Sequence, residues 1–246
     1  KLINTYSGAY YKYIAKANSV KLSGSLKKLV RNGKITGSYK DLIKKYGEKT
    51  ANKIQSYENY YDKAQSARQN RADAIKQRRE LKIEKNQNYV DKYNADATYN
   101  ELLASDTHYI AKIRNGYINK EIKATKKSYA YQIKIAKLNK DVTEQKRLQA
   151  ELDQKINDFN KTKFDNVAKD YERKLQMIEY SMTAIDNEVE NIEASGSTVD
   201  KSYYLDKKKL VSERAELLKK EKADLENYIK TITYGTDEYH DALSTI

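Results

Sequence analysis

The 246-residue sequence contains neither proline nor cysteine, which excludes disulfides, thiolate metal sites and cysteine nucleophiles and leaves long helices without their strongest breaker. Hydrophobic residues make up 39% and charged residues 34%, with two Phe and no Trp, so narrow apolar stripes between helices are expected rather than a thick globular core. The net charge of +13 is uneven: residues 1–140 carry 31 Lys/Arg against 12 Asp/Glu (+19), and residues 141–246 carry 17 against 23 (−6).

With a mean hydropathy of −0.96, the pattern predicts an all-α fold: long coiled-coil-type helices with at least one helical hairpin, elongated, with little globular core. No apolar run approaches the roughly 18 residues that span a bilayer. The start Lys1-Leu2-Ile3-Asn4 is neither an initiator methionine nor a signal peptide, and Asp241–Ile246 stop inside a helical pattern. The chain is therefore expected to be a segment of a longer polypeptide.

Residues 1–47 read as short helices with a glycine loop. Tyr6–Val20 is rich in tyrosine and lysine, a short helix is expected over Leu22–Arg31, Gly33-Lys34-Ile35-Thr36-Gly37-Ser38 is a loop, and Ser38 can cap the helix after it. Residues 48–138 read as long basic polar helices. One covers about 48–104 on a weak stripe in which Ile54, Tyr57, Tyr61 and Ala64 fit a heptad and Arg68 and Arg71 take the next seam positions. Ser105-Asp106-Thr107 then has the form of a cap, and Ile110, Ile113, Ile118, Ile122, Ile133, Ile135 and Leu138 mark a further helix with Asn115-Gly116 as a candidate interruption.

Residues 139–196 read as one long heptad helix, from about 141 to 194, with Asp141 and Glu144 as its N-terminal capping pair. Its seam runs through Leu175, Ile178, Met182, Ile185, Val189 and Ile192, preceded by a looser stripe through Leu148, Leu152, Ile156, Phe159, Val167 and Tyr171. Ala194-Ser195-Gly196 is expected to end the helix, with Ser197 or Thr198 capping the next. The return helix, residues 197–234, repeats every seven residues at Tyr204, Val211, Leu218, Leu225 and Ile232, thickened by Leu210 and Leu217, and ends at Tyr234-Gly235. Residues 235–246 start another helix at Thr236-Asp237-Glu238. The predicted turns are thus Gly33, Gly37, Gly196 and Gly235. An echo with a two-residue slip joins Gly37-Ser38-Tyr39-Lys40-Asp41-Leu42 to Gly235-Thr236-Asp237-Glu238-Tyr239-His240-Asp241-Ala242-Leu243, the glycines 198 residues apart, and reads either as a module recurring in the parent chain or as a chance likeness.

No catalytic, cofactor-binding or metal site is expected. His108 and His240 are the two histidines, 132 residues apart without ligand spacing around them. The 33–38 loop lacks the Gly-Lys-Ser/Thr ending of a phosphate loop, and no strand precedes it. Tyr10-Tyr11, Tyr13, Tyr60-Tyr61, Tyr129 and Tyr131 sit among lysines; helix packing is their expected use, with base stacking the alternative.

Several of these features together resemble the tail tape-measure proteins of long-tailed bacteriophages and prophages of Gram-positive hosts. The resemblance lies in Phe164-Asp165-Asn166-Val167 with Tyr171 on a long helix, Glu193-Ala194-Ser195-Gly196, Tyr203-Tyr204 opening the return helix, the run Leu217–Lys222, and Gly235-Thr236-Asp237-Glu238-Tyr239. Gly33-Lys34-Ile35 with Gly37-Ser38-Tyr39 is similar to the same element one module earlier. The resemblance covers about half the chain, most clearly 140–246. It implies a long helical protein packed in a few copies inside the tail tube, which polymerises around it, and released ahead of the DNA at infection; that the chain is not an enzyme is expected from the lack of any catalytic motif.

Self-association as a trimer is expected because narrow stripes on so polar a chain cannot bury enough apolar surface alone, and the resemblance adds the tail-tube and tail-end proteins and, transiently, DNA as partners, with no small-molecule substrate. The expected location is the virion, in the tail interior, after assembly in the host cytoplasm. Two other readings stay open: a cellular coiled-coil scaffold or stalk, which the heptads fit equally well, and a basic helical nucleic-acid-binding protein, which the lysine- and tyrosine-rich part suits.

Overall fold

A computed structural model describes residues 1–35 and 37–246; Thr36, part of the expected 33–38 loop, lies outside the described residues. The fold is all-α. Eight helices are present among the described residues, α1 (Leu2–Ser19), α2 (Gly24–Arg31), α3 (Tyr39–Tyr46), α4 (Glu48–Ala104), α5 (Ala111–Asn139), α6 (Val142–Ala194), α7 (Lys201–Ile229) and α8 (Asp237–Thr245), and no strand. The chain divides into two compact units, residues 1–84 and 85–246, the boundary falling inside α4.

In the first unit, α1 runs antiparallel to the first part of α4. Lys16 sits 5.6 Å above the Tyr60 ring and Lys63 5.9 Å above that of Tyr13, while Lys1–Asn4 lie beside Ala74–Leu81. α2 and α3 close over the start of α4 around Leu42, Ala51 and Ile54, with Leu22, Val30, Ile35, Tyr39 and Ile43 packed against them. Arg31 donates from Nε to the Tyr57 hydroxyl at 2.6 Å, and the Tyr57 ring is fully buried. Ser38 caps α3 as expected, and Asp41 makes the cap a reciprocal capping box.

In the second unit α6 is the central helix, with α5, α7 and α8 all packed on it. Phe164, Val167 and Tyr171 of α6 meet Leu225 and Ile229 of α7, Ile232, Ala111 and Ala242 in one buried cluster. α5 turns into α6 in one step: Lys140 takes a left-handed φ of 60°, Asp141 donates its N–H to the Ala136 carbonyl, and the Asp141 carboxylate caps the Glu144 N–H at 2.9 Å.

The turn from α6 to α7 is a Schellman closure. The N–H of Ser197 reaches the Ile192 carbonyl, that of Gly196 reaches Glu193, and Gly196 holds φ at 75°, a region that costs a residue with a Cβ about 1–2 kcal/mol. Gly33, Gly37 and Gly235 also lie at positive φ, at 64°, 136° and 80°.

Four local expectations are corrected. α7 is capped by Asp200, whose carboxylate accepts from the Ser202 N–H, and not by Ser197 or Thr198. α7 ends at Ile229, before Tyr234-Gly235, because the N–H of Thr233 is taken by the side chain of Asn157 on α6. Ser105-Asp106-Thr107 does not cap α5: Asp106 turns back on His108, and the cap comes from Asp170 on α6, 2.6 Å from the Ala111 N–H. Asn115-Gly116 does not interrupt α5 either, since the helix runs unbroken to Asn139 and Asn115 is used in packing.

Candidate functional site

The positions singled out as helix seam fall into two groups. On α6, Leu175, Ile178, Met182, Ile185, Val189 and Ile192 are all half-buried along the side that carries α7. On the return stretch, Leu225 and Ile232 are buried at 2% and 4% exposure, but Tyr204, Val211 and Leu218 stand open at 55%, 49% and 43%. The seam toward α6 there is one residue earlier, through Tyr203, Lys207, Leu210 and Leu217, all half-buried. Two cross-helix ion pairs mark its level, Lys207 with Asp186 and Arg214 with Glu179. The seven-residue spacing holds as a row along α7, but its upper members do not face α6.

Below that level, where α5 begins and α7 ends, α6 carries polar side chains that bond to its neighbours, Asn157 and Asn166 buried among them. Asn157 is 3% exposed and uses both ends of its amide: Nδ2 donates to Glu238 Oε2 at 2.8 Å and Thr236 Oγ1 at 3.3 Å, and Oδ1 accepts from the Thr233 N–H at 2.7 Å. Asn160 donates to the Thr231 carbonyl at 2.6 Å, and Gln154 donates to the second Glu238 oxygen at 3.0 Å. These bonds satisfy the loose end of α7 and the start of α8 together. They also hold the Glu238 carboxyl below the usual range, after the bond to its own backbone N–H and that from Thr236.

The opposite side of α6 is tied to α5. Asn166 donates to Asn115 Oδ1 at 2.9 Å, and Asn115 donates in turn to the Lys163 carbonyl at 3.1 Å and the Tyr228 hydroxyl at 3.4 Å, so one amide pair touches three helices. Asp170 joins its cap of Ala111 to an ion pair with Arg114 at 3.4 Å, both side chains largely shielded. The Tyr171 hydroxyl donates to Asp224 on α7, and burial, then that bond, push the phenol up to about 12. Such a network fixes helix register, because a slip of one residue strands several buried polar groups at about 1–3 kcal/mol each.

Glu121 is a carboxyl displaced by burial. It is 7% exposed on α5, and burial, reinforced by Glu101 and opposed by Lys155, raises its carboxyl to about 7. Among the described residues no group of three or more His, Cys, Asp or Glu is arranged to hold a metal, and no helix is long and apolar enough to cross a membrane. His108 turns its ring to Asp106 at 2.8 Å and is solvated, and His240 is exposed beside the Tyr239 ring.

Several tyrosines of the basic part pair inside the chain. Tyr131 stacks on Tyr89 at 4.6 Å and Tyr93 at 6.0 Å, with Lys134 4.1 Å above Tyr131 and Lys127 5.0 Å above Tyr93. Arg31 lies over both Tyr57 and Tyr61.

The asparagine network is not legible in the sequence. Asn157, Asn166 and Asn115 look there like ordinary polar helix residues, and the one available signal is positional: Asn157 sits in the turn between Ile156 and Phe159, on a stripe otherwise apolar. The chain matches no family model, no curated protein and no solved structure.

Proposed function

We propose that the chain is a structural segment of a phage tail tape-measure protein: non-enzymatic, self-associating as a trimer, housed in the tail interior against tube or tail-end proteins until the genome leaves. The observation that carries the reading is helix length. α4 and α6 run 57 and 53 residues without a break, and at 1.5 Å per residue each extends about 80 Å, so residue count converts almost linearly into distance. A chain of 246 residues in single file would extend about 370 Å. The return of α7 along α6 shortens that measure and favours a wider part of the tail, where chains have room to fold back. The coiled-coil character of the heptad stretches belongs to the same proposal.

The test is made in the phage that encodes the chain. In-frame deletion of 148–189, 42 residues of α6, is expected to shorten tails by up to about 60 Å at 1.5 Å per residue, or to abort tail assembly if the segment lies at the tail end. A milder paired deletion of 176–189 with 204–217 removes two heptads from each arm and leaves Phe164, Asn157 and Ile232 in place. Tails of unchanged length, yield and infectivity with both deletions would overturn the proposal and favour the scaffold reading.

A further inference from the structure

The upper part of the α6–α7 hairpin presents three parallel rows, each spaced by seven residues. The first is the open apolar row Tyr204, Val211 and Leu218, 55%, 49% and 43% exposed. Beside it on α7 runs a solvated basic row, Lys201, Lys208 and Lys222, with Ala215 at the third of its four positions. On the α6 edge bordering the same face runs an acidic row, Glu172, Glu179, Asp186 and Glu193. The arms are opposite in charge: 172–193 holds six acids and two bases, a net −4, and 201–222 holds eight bases and four acids, a net +4.

The two ion pairs across the hairpin set the level of one arm against the other, Asp186 beside Lys207 and Glu179 beside Arg214. Extended by heptads, that register puts Lys201, Lys208 and Lys222 within about one residue of the heights of Glu193, Asp186 and Glu172. Two hairpins standing side by side in the same direction, with no axial offset, therefore bring lysines of one opposite acids of the other at three levels. An apolar heptad row flanked by oppositely charged rows is the pattern by which helices choose partner and orientation. The same apolar row is already covered lower down, where Leu225 and Ile232 pack with α6 and α8.

We propose that this face of α7 is an interface between copies of the chain. The Lys201/Lys208/Lys222 row of one copy runs along the Glu172/Glu179/Asp186/Glu193 row of the next, parallel and in register. Joining two different edges makes the contact head-to-tail, so it is complete only as a closed ring. A ring of three places the Tyr204, Val211 and Leu218 rows around one axis. The inference supplies a surface for the trimer proposed above, and it rests on the hairpin rather than on any role in a tail.

Because the chain has no cysteine, single-cysteine variants of the full chain report contacts unambiguously. Sedimentation equilibrium is expected to give a trimer that dissociates as salt rises. Oxidised Tyr204→Cys and Val211→Cys are each expected to form disulfide-linked dimers on their own. Val211→Glu with Leu218→Glu is expected to be monomeric with unchanged helical circular dichroism, since both side chains are open in the single chain.

A monomeric parent chain would overturn the interface, as would a trimer that survives the double glutamate variant, which would place association on another surface. Cross-linking of Tyr204→Cys only when mixed with Leu218→Cys would overturn the parallel arrangement in favour of an antiparallel pair. All of these readings come from the isolated chain, so their failure leaves the tail-length proposal to its own test.

Discussion

Two halves of one helical hairpin carry the same heptad spacing and meet different fates. In the lower half Phe164, Leu225 and Ile232 are 0%, 2% and 4% exposed, because α5 and α8 close around α6 and α7. In the upper half Ile178, Met182, Ile185 and Leu210 are half-buried, each helix having one neighbour. Spacing decides which face of a helix is apolar; the number of helices arriving at that level decides how much of the face leaves water. The lower half adds a set of buried amides and carboxylates that penalise slippage, where the upper half has two part-exposed ion pairs, Asp186 with Lys207 and Glu179 with Arg214.

The sharpest way to break the comparison is a pair of truncations. Phe164→Ala removes a fully enclosed ring and is expected to cost about 3–5 kcal/mol, whereas Ile185→Ala in the half-open seam is expected to cost about 1–2 kcal/mol. Urea denaturation followed by circular dichroism measures both. Equal losses would mean that the upper seam is as enclosed as the lower, most simply by other copies of the chain.

Next in size is Asn157→Ala. It leaves the Thr233 N–H without its acceptor and removes two donors' worth of bonding from Glu238 and Thr236, so a loss of about 2–3 kcal/mol is expected. Hydrogen exchange should rise at Thr233 and through α8 while α6 near Ile185 keeps its protection. A uniform change along α6 would show that the amide merely fills space.

How far the sequence reveals these halves depends on the kind of signal each relies on. Helix positions are legible because the caps and stops are local: Ser38 with Asp41, Asp141 with Glu144, Thr236 with the Tyr239 N–H, and Gly196 at its turn all act within a few residues. Caps supplied from another helix are not, as with Asp170 on Ala111 across 59 residues of chain. The rotation of the α7 seam escapes the sequence for a related reason. Tyr203-Tyr204, Leu210-Val211 and Leu217-Leu218 are adjacent apolar pairs, and only the position of α6 decides which member of each pair turns inward. The buried face of α5 departs further from expectation: Ile110 and Ile113 are 55% and 43% exposed, while Arg114, Asn115, Glu121, Thr125 and Ser128 are buried. Polar side chains can occupy a seam when the facing helix supplies partners, and composition says nothing about that.

A smaller effect depends on pH. Glu121 binds its proton more tightly folded than unfolded, with its carboxyl raised from 4.5 to about 7 by burial and by Glu101, against the pull of Lys155. Its contribution is therefore fully present below pH 4.5, declines as pH rises, and is lost above about 7, where folding must bury a charge. Glu121→Gln is expected to flatten stability across that window and to exceed the parent chain by about 1–2 kcal/mol above pH 7. Thermal melts at a series of pH values decide it, and identical curves for the two proteins would remove Glu121 from the lower half's energetics.

The smallest expected effect compares the two ends of α6, which enters and leaves through left-handed turns with different residues at the critical position. Lys140 holds φ at 60° and is the one non-glycine residue at positive φ among the described residues; Gly196 holds 75°. A side chain in this region costs about 1 kcal/mol or more, and glycine escapes that cost while losing more chain entropy on folding. Lys140→Gly is therefore expected to raise stability by about 0.5 kcal/mol, and Gly196→Ala to lower it by about 1 kcal/mol. Nothing lies within 4 Å of a Cβ placed at Gly196, so its loss would reflect backbone strain alone. The lower turn joins helices fastened by Asn115, Asn166 and Asp170, whereas the upper one closes the open half of the hairpin. Hydrogen exchange should accordingly confine the Gly196→Ala effect to residues near the tip. If exchange instead accelerated down to Phe164, the two halves would be one cooperative unit, and the contrast between them would be one of packing only.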